Sequence, residues 1–340
     1  MQSDQKNMPR AVIGDKLGPI AHYRLLPRDP GIPGPGQIRL AVRAAGISYV
    51  DVLVSRGEYQ LKPPTPFIPG SEFAGIVDSI GEGVTDCAPG DPIFASAFGT
   101  AFAEAAVIPA KLAHPIPKGL SFAEAACFRV SYATAYHALV QQGRLERDET
   151  VLVLGAGGAV GIAAVQVAKA LGAFVIASAS TPEKRDLAAR CGADAVVESG
   201  AGDWREQVAH ACDRGKPDIV VDPIGGDATE RAFRTLAWGG RHLVIGFVGG
   251  IARLPTNLPL LKGAHLIGVD VRQFGEKFPD VVQANLEAIS ALCAAGKLKP
   301  HIARTYPIER FAEAMDEAYA GQAAGRIVIE MGQRADRNGG

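Results

Sequence analysis

TVLVLGAGGAVGIAAVQVAKALGA, residues 150–173, is the stretch on which the fold turns. A solid apolar run (150–155) passes into glycines at 155, 157, 158 and 161, then into an apolar segment with helical spacing. Residues 151–168 carry no charge and approach a membrane span in length. Central glycines would break a single helix, so the segment divides into strand, turn and helix. Glycine lets such a turn close and lets the backbone approach a pyrophosphate seated on the free N–H groups of the helix start. Gly155, Gly157, Gly158, Ala159, Val160 and Gly161 are therefore candidate cofactor-binding residues.

A glycine-rich string alone is weak evidence, because tight turns need glycine for steric reasons. Here the surroundings supply the context. Apolar strands recur at 150–155, 173–179, 193–198, 218–223, 241–247 and 265–270, with helical patterns such as IAAVQVAKALG and PEKRDLAARCG between the first five. Apolar strands alternating with helices predict a parallel sheet buried on both faces and doubly wound, the α/β Rossmann architecture.

Residues before about 129 have another texture. QIRLAVRAAGI (37–47) alternates apolar and polar side chains as a half-buried strand does. PRDPGIPGPG (27–36) is a loop, and FAGIVDSIG (73–81) and DPIFAS (91–96) are further strands. Short strands with Gly/Pro turns predict a small, mostly β domain. Past 270 a long helix (FPDVVQANLEAISALCAAGKL), a strand, a helix and a last strand return to the mixed texture. The expected domains are thus 1–128 with 271–340, and 129–270; ADRNGG at the end reads as frayed.

An NAD site places Asp or Glu about 20 residues after the first glycine, on the ribose 2′-OH. This chain has Ser178, Ala179, Ser180 and Thr181 there, then Lys184 and Arg185, with Glu183 between. Hydroxyl residues leave room for a 2′-phosphate that a cation can neutralise, so NADPH is expected as the cofactor, with Ser178, Ser180 and Lys184 as its contacts.

Bulk composition excludes several classes. Lys plus Arg number 35 against 36 for Asp plus Glu, so no broad basic field is present for nucleic acid or a membrane surface. Five scattered cysteines without Cys-x-x-Cys predict a reduced, cytoplasmic protein rather than a disulfide framework. MQSDQKNMPR lacks the apolar core of a signal peptide. Seven dispersed histidines and no cysteine cluster predict no metal site, and no Gly-x-Ser-x-Gly elbow supports a hydrolase.

AAGISYVDVLVSRGEY (44–59), IPGSEFAGIVDSIGEGV (68–84), PGDPIF (89–94), SYATAYHAL (131–139) and the glycine turn together resemble the medium-chain dehydrogenase/reductase superfamily over nearly the whole chain. The resemblance implies a GroES-like catalytic domain beside the nucleotide domain. Zinc-dependent relatives carry cysteine where Ser48 stands and histidine where Ser71 stands, beside the glutamate matching Glu72. With both gone, the chain is similar to the zinc-free NADPH:quinone oxidoreductase-like branch, and Glu72 is expected to hold its turn or pair locally. Members of that branch often have asparagine at Ser48 and Gly-Gly at Gly158-Ala159, so architecture and cofactor carry over better than acceptor.

What the resemblance implies is hydride transfer from nicotinamide C4 to a quinone or an activated alkene. Without zinc to polarise a simple carbonyl, placement and donated hydrogen bonds must serve. Ser48 and Tyr59 are the implied catalytic donors near the nicotinamide, with Tyr49 as a further candidate and Asp51 ordering the local turn. Tyrosines also commonly pack with the hydroxyl at the surface. Thr134 and Ser131 are implied nicotinamide contacts, Gly246 and Phe247 pass the same ring, and Arg326 reaches the pyrophosphate or adenine side or makes a surface salt bridge. Arg129, in CFRVSYATAY, either pairs with a carboxylate on the acceptor or forms an interdomain salt bridge. An acryloyl-CoA or 2-substituted acrylate reductase is the close alternative, a zinc alcohol dehydrogenase the runner-up chemistry. A non-catalytic NADPH-binding protein is the rival from another class. Relatives dimerise through the last strand of the nucleotide domain, so RLPTNLPLLKGAHLIGVD (253–270) is the implied homodimer edge.

Overall fold

The computed structural model describes residues 8–212 and 215–332. The chain divides into two compact units, between Val130 and Ser131 and again between Lys299 and Pro300. ADRNGG lies outside the described residues.

In chain order the first strands are β1 (Arg10–Gly14), β2 (Tyr23–Pro27), β3 (Gln37–Ile47), β4 (Glu72–Ile80), β5 (Pro92–Ser96), β6 (Ala105–Pro109) and β7 (Ala113–Pro115). The second unit holds β8 (Thr150–Leu154), β9 (Phe174–Ala179), β10 (Ala195–Glu198), β11 (Ile219–Asp222), β12 (Arg241–Val244) and β13 (His265–Gly268). Then β14 (Ile302–Pro307) and β15 (Arg326–Glu330) return to the first unit.

That first unit is mostly antiparallel sheet, ordered β14-β15-β3-β4-β5-β7, with β6 also on β3 and a β1–β2 hairpin apart. The alternation read in 37–47 is the strand's own burial pattern: Ile38, Leu40 and Val42 point into the core and Gln37, Arg39, Ala41 and Arg43 are only partly covered. They pack with Phe73, Phe102, Ile108, Tyr306 and Ile329. Register decides what shares a sheet end. Gly46 lies opposite Glu72, and Glu72 opposite Ser96. The segments following β3, preceding β4 and following β5 therefore gather in one corner.

The second unit's sheet is parallel throughout and runs β10-β9-β8-β11-β12-β13. Strand order departs from β8 in both directions, so the topological switch lies between β8 and β11, the crevice where such sheets take ligands. Every residue of β8 is buried, as a strand covered on both faces must be.

One boundary differs from the sequence reading. Residues 271–299, assigned from texture to the first domain, group with the second unit. The helix Pro279–Ala294 buries Leu286, Ile289 and Cys293, and its Asn285 exchanges hydrogen bonds with Gln141 at 2.9 and 3.1 Å. Phe274 stacks on His137 at 4.0 Å between centroids, and Gln166 brackets the Lys299 backbone through both amide atoms.

Candidate active site

In the second unit, β8 delivers the chain into Gly155 at φ +58°, and the turn closes by Gly158 N–H donating to the Gly155 carbonyl at 2.9 Å. The helix Ala159–Ala170 then begins at Gly158 without any side-chain cap. Its first-turn N–H groups have no acceptor within the helix and present partial positive charge, as an anion site requires. Close approach explains the other glycines. A Cβ on Gly161 would stand 2.2 Å from the Gly155 carbonyl oxygen, and one on Gly157 would stand 2.6 Å from Lys184 Cβ. The stem of Lys184 thus lies over the turn. These residues fit a dinucleotide: a glycine turn, an uncapped helix start and a cation beside them.

At the end of β9 the hydroxyls divide. Ser178 is buried and its Oγ accepts the Trp204 Nε1–H at 2.9 Å, so it is a core residue and not the expected cofactor contact. Ser180 is exposed, and Thr181 caps the helix Pro182–Arg190. Arg185 donates to the carbonyls of Ala179 and Ser180, each at 3.2 Å, with Glu198 3.7 Å away. Burial holds the Lys184 ammonium below its ordinary pKa, against the opposing pull of Glu183.

Thr134 and Ser131 are buried on the helix Arg129–Tyr136. Gly246 follows β12, where a Cβ would meet the Pro223 carbonyl oxygen at 2.9 Å, and Phe247 beside it is exposed. One shaping residue escaped the sequence reading. Asp222 accepts from the N–H groups of Ile224 and Gly225 at 2.9 and 2.8 Å and from the Thr229 hydroxyl at 2.6 Å, and its other neighbour is His242 Nε2 at 2.9 Å. Burial alone would raise its pKa, but these bonds, led by His242, hold it low. Asp222 thereby fixes the 223–226 turn against which Gly155 and Gly246 pack. The available signal was an acid closing an apolar strand, DIVVDP, which needs internal partners.

Within the first unit, Ser48 caps the helix Tyr49–Arg56 and forms a reciprocal capping box with Asp51. Asp51 accepts from the Ser48 N–H at 2.9 Å, the Ser48 hydroxyl at 2.7 Å and the Ser71 hydroxyl at 2.9 Å. Asp51 orders the turn, as read from sequence, and the Ser48 hydroxyl proton is directed to it. Tyr59 is half-buried against the core, and Tyr49 stacks on Tyr319 at 5.9 Å.

Glu72 answers differently from expectation. Its Oε2 lies 3.1 Å from Arg326 Nη2 and its Oε1 accepts the Val130 N–H at 2.7 Å, so its partner is remote in sequence rather than local. Arg326 is buried in that ion pair and is neither a pyrophosphate ligand nor a surface bridge. Burial raises the carboxyl pKa of both Asp51 and Glu72, with Arg326 pulling the other way. Cys127 in the same corner is pushed up to about 11 by burial and is not a reactive thiolate. Among the described residues no three His, Cys, Asp or Glu side chains converge as a metal site. Ser48 and Ser71 offer neutral hydroxyls already turned toward Asp51, which do not fit zinc.

Comparison with known proteins agrees with this division. Residues 34–118 match the alcohol dehydrogenase GroES-like domain and residues 159–287 the zinc-binding dehydrogenase family. Quinone oxidoreductase-like protein 2 of Mus musculus is 33% identical over 332 residues, covering 97% of this chain and 94% of the relative. A probable oxidoreductase from Mycobacterium abscessus superposes with a TM-score of 0.84 at 34% identity, over 95% of this chain and 99% of that one. CurK enoyl reductase, at 22% identity, shares the fold with a TM-score of 0.87 over 96% of this chain and 100% of that one. A Rossmann unit and a GroES-like unit in one chain define an oxidoreductase of the nicotinamide-dependent class. The chain belongs to the medium-chain dehydrogenase/reductase superfamily, among its quinone oxidoreductase-like members.

Proposed function

We propose that this protein is an NADPH-dependent reductase of quinones or α,β-unsaturated carbonyl compounds that works without a metal. The observation that carries the reading is the end of β9, where Ser180, Lys184 and Arg185 stand in place of an acid. When bound, the reduced nicotinamide supplies a hydride. The glycine turn and the uncapped helix would hold the pyrophosphate, with Ser180 and Lys184 on the 2′-phosphate. Thr134, Ser131, Gly246 and Phe247 would position the ring. Tyr59 is the proposed hydrogen-bond donor to the acceptor, since the proton of Ser48 already goes to Asp51. Quinones and conjugated carbonyls spread the arriving charge, so they need less stabilisation than a simple carbonyl.

Acceptor assays with a 1,4-quinone, an enal, an acrylate and an enoyl-CoA test the reading. NADPH oxidation is expected with at least one of them; cofactor binding without any turnover would instead favour a non-catalytic binding protein. NADPH should bind at least about 10-fold more tightly than NADH, a difference of roughly 1.4 kcal/mol. Lys184→Ala combined with Arg185→Ala should erase most of that gap, measured by fluorescence titration. An unchanged ratio would reject the 2′-phosphate assignment.

We also infer a cytoplasmic homodimer. No described helix is long and apolar enough to cross a membrane. Leu266 on the edge strand β13 is exposed, and Trp238, Leu260 and Leu261 lie exposed in the same unit. An open apolar edge invites strand pairing with a second copy. Leu266→Glu should sediment as a monomer at micromolar concentrations where the parent sediments as a dimer. A monomeric parent would reject the pairing.

A further inference from the structure

Arg129 stands apart from its neighbours. In the same unit Arg10, Arg39, Arg56 and Arg326 each hold a carboxylate within ion-pair distance. Arg129 has none among the described residues: its one hydrogen bond is a long contact of 3.5 Å from Nη1 to the Ser96 carbonyl. The side chain is half-buried, and burial pushes its pKa down although a guanidinium stays charged. Glu72 offsets part of that charge through space, but its oxygens are already bonded to Arg326 and the Val130 N–H.

A partly desolvated cation without a bonded counter-ion is costly, and an apolar residue would fill the place more cheaply. Its location gives the reason. Ser96, which it touches, lies opposite Glu72 in the sheet, next to Ser71. Ser71 in turn shares Asp51 with Ser48. Arg129 therefore lies at the corner of the first unit where the polar residues gather. A second unmet group belongs to this neighbourhood. Nε2 of His114 is buried without a partner among the described residues, and its pKa falls to about 4 through burial and the charge of Arg129, so the ring stays neutral.

We propose that Arg129 is a specificity-determining residue that binds an anion, and that the preferred acceptors are α,β-unsaturated carboxylates whose carboxylate completes the missing ion pair. The inference rests on the reductase reading above and names its substrate class. Hydride from the reduced dinucleotide joins the β-carbon and the carbon–carbon π bond breaks. Its electrons pass to the α-carbon and carboxylate oxygens, a proton from solvent completes the α-carbon, and the dinucleotide leaves oxidised. An ionised carboxylate is a poor electron sink, because the added charge accumulates on an anion. A bidentate guanidinium neutralises it and makes it resemble the uncharged acid.

The test compares crotonate with its amide and with a 1,4-quinone, in the parent, Arg129→Lys and Arg129→Leu. Arg129→Leu should raise KM for crotonate about 30-fold or more, as loss of a charge-assisted bidentate pair does, while KM for the amide and the quinone changes less than about threefold. Arg129→Lys should recover part of the loss. Calorimetric titration of the dinucleotide-loaded parent gives an activity-independent reading: saturated butyrate should bind and butyramide should not. Equal binding of the two, or parallel losses on charged and uncharged acceptors, would overturn the role of Arg129 and leave the reductase standing. Absence of turnover with every acceptor, quinone included, would overturn both. Should Arg129→Leu fail to fold, the butyrate–butyramide comparison in the parent decides alone.

Discussion

Arg326→Met is expected to destabilise the protein by about 3–5 kcal/mol, the cost of breaking a buried ion pair on one side. Arg326 and Glu72 are 5% and 2% exposed, so water cannot replace the lost partner. Glu72 would keep the Val130 N–H, but it would face Asp51 without the intervening cation. Its carboxyl pKa, already raised by burial, must then rise further. The sign of the pH dependence follows. An acid whose folded pKa exceeds its unfolded value is favoured in the protonated form, so stability is lost as pH rises from the unfolded toward the folded value. Arg326→Met should therefore be less damaging at pH 5 than at pH 8, and Arg326→Met with Glu72→Gln should recover much of the loss at pH 8. Urea denaturation at both pH values measures this. A loss below about 1 kcal/mol would show that the pair is not a supporting element of the corner.

That ion pair also marks where sequence reading stops. The strand at 37–47 and the glycine turn were legible because their signals are local: alternation for one, apolar strand and glycines in fixed order for the other. Asp51 was legible in the same way, as an acid ordering its own turn, but Ser48 was read as a donor to the acceptor and is instead the cap that gives its hydroxyl proton to Asp51. Glu72 finds Arg326 across 254 positions, and no spacing rule selects one arginine among many at that distance. Ser178 was misread because a hydroxyl ending a strand looks alike whether it turns to a phosphate or, as here, to the indole of Trp204. Residues 271–299 were misplaced because helical periodicity reports a buried face without reporting which unit buries it. That Arg129 meets no carboxylate among the described residues is of the same kind, a property of what fails to approach it in space.

Gly161→Ala should weaken dinucleotide binding by more than about 100-fold, roughly 2.7 kcal/mol, and should also lower stability. The second half is the diagnostic one. Glycine to alanine inside a helix ordinarily stabilises by about 1 kcal/mol, because glycine loses more backbone entropy on folding. Gly161 is helical, yet an added Cβ would stand 2.2 Å from the Gly155 carbonyl oxygen and 2.7 Å from Ala156 Cα, both backbone atoms that cannot swing aside. The helix start would have to move away from the turn, and with it the N–H groups expected to receive the pyrophosphate. Gly158→Ala separates architecture from ligand contact. That residue has φ −90°, and its nearest obstacle is the same oxygen at 3.4 Å, so the turn can close around an alanine. Its variant should melt like the parent and lose affinity only to the extent that the dinucleotide needs bare backbone there. If Gly161→Ala proves as stable as the parent and binds NADPH normally, the close packing of the turn is not what holds the site open. The glycines would then mark a tight turn and nothing more.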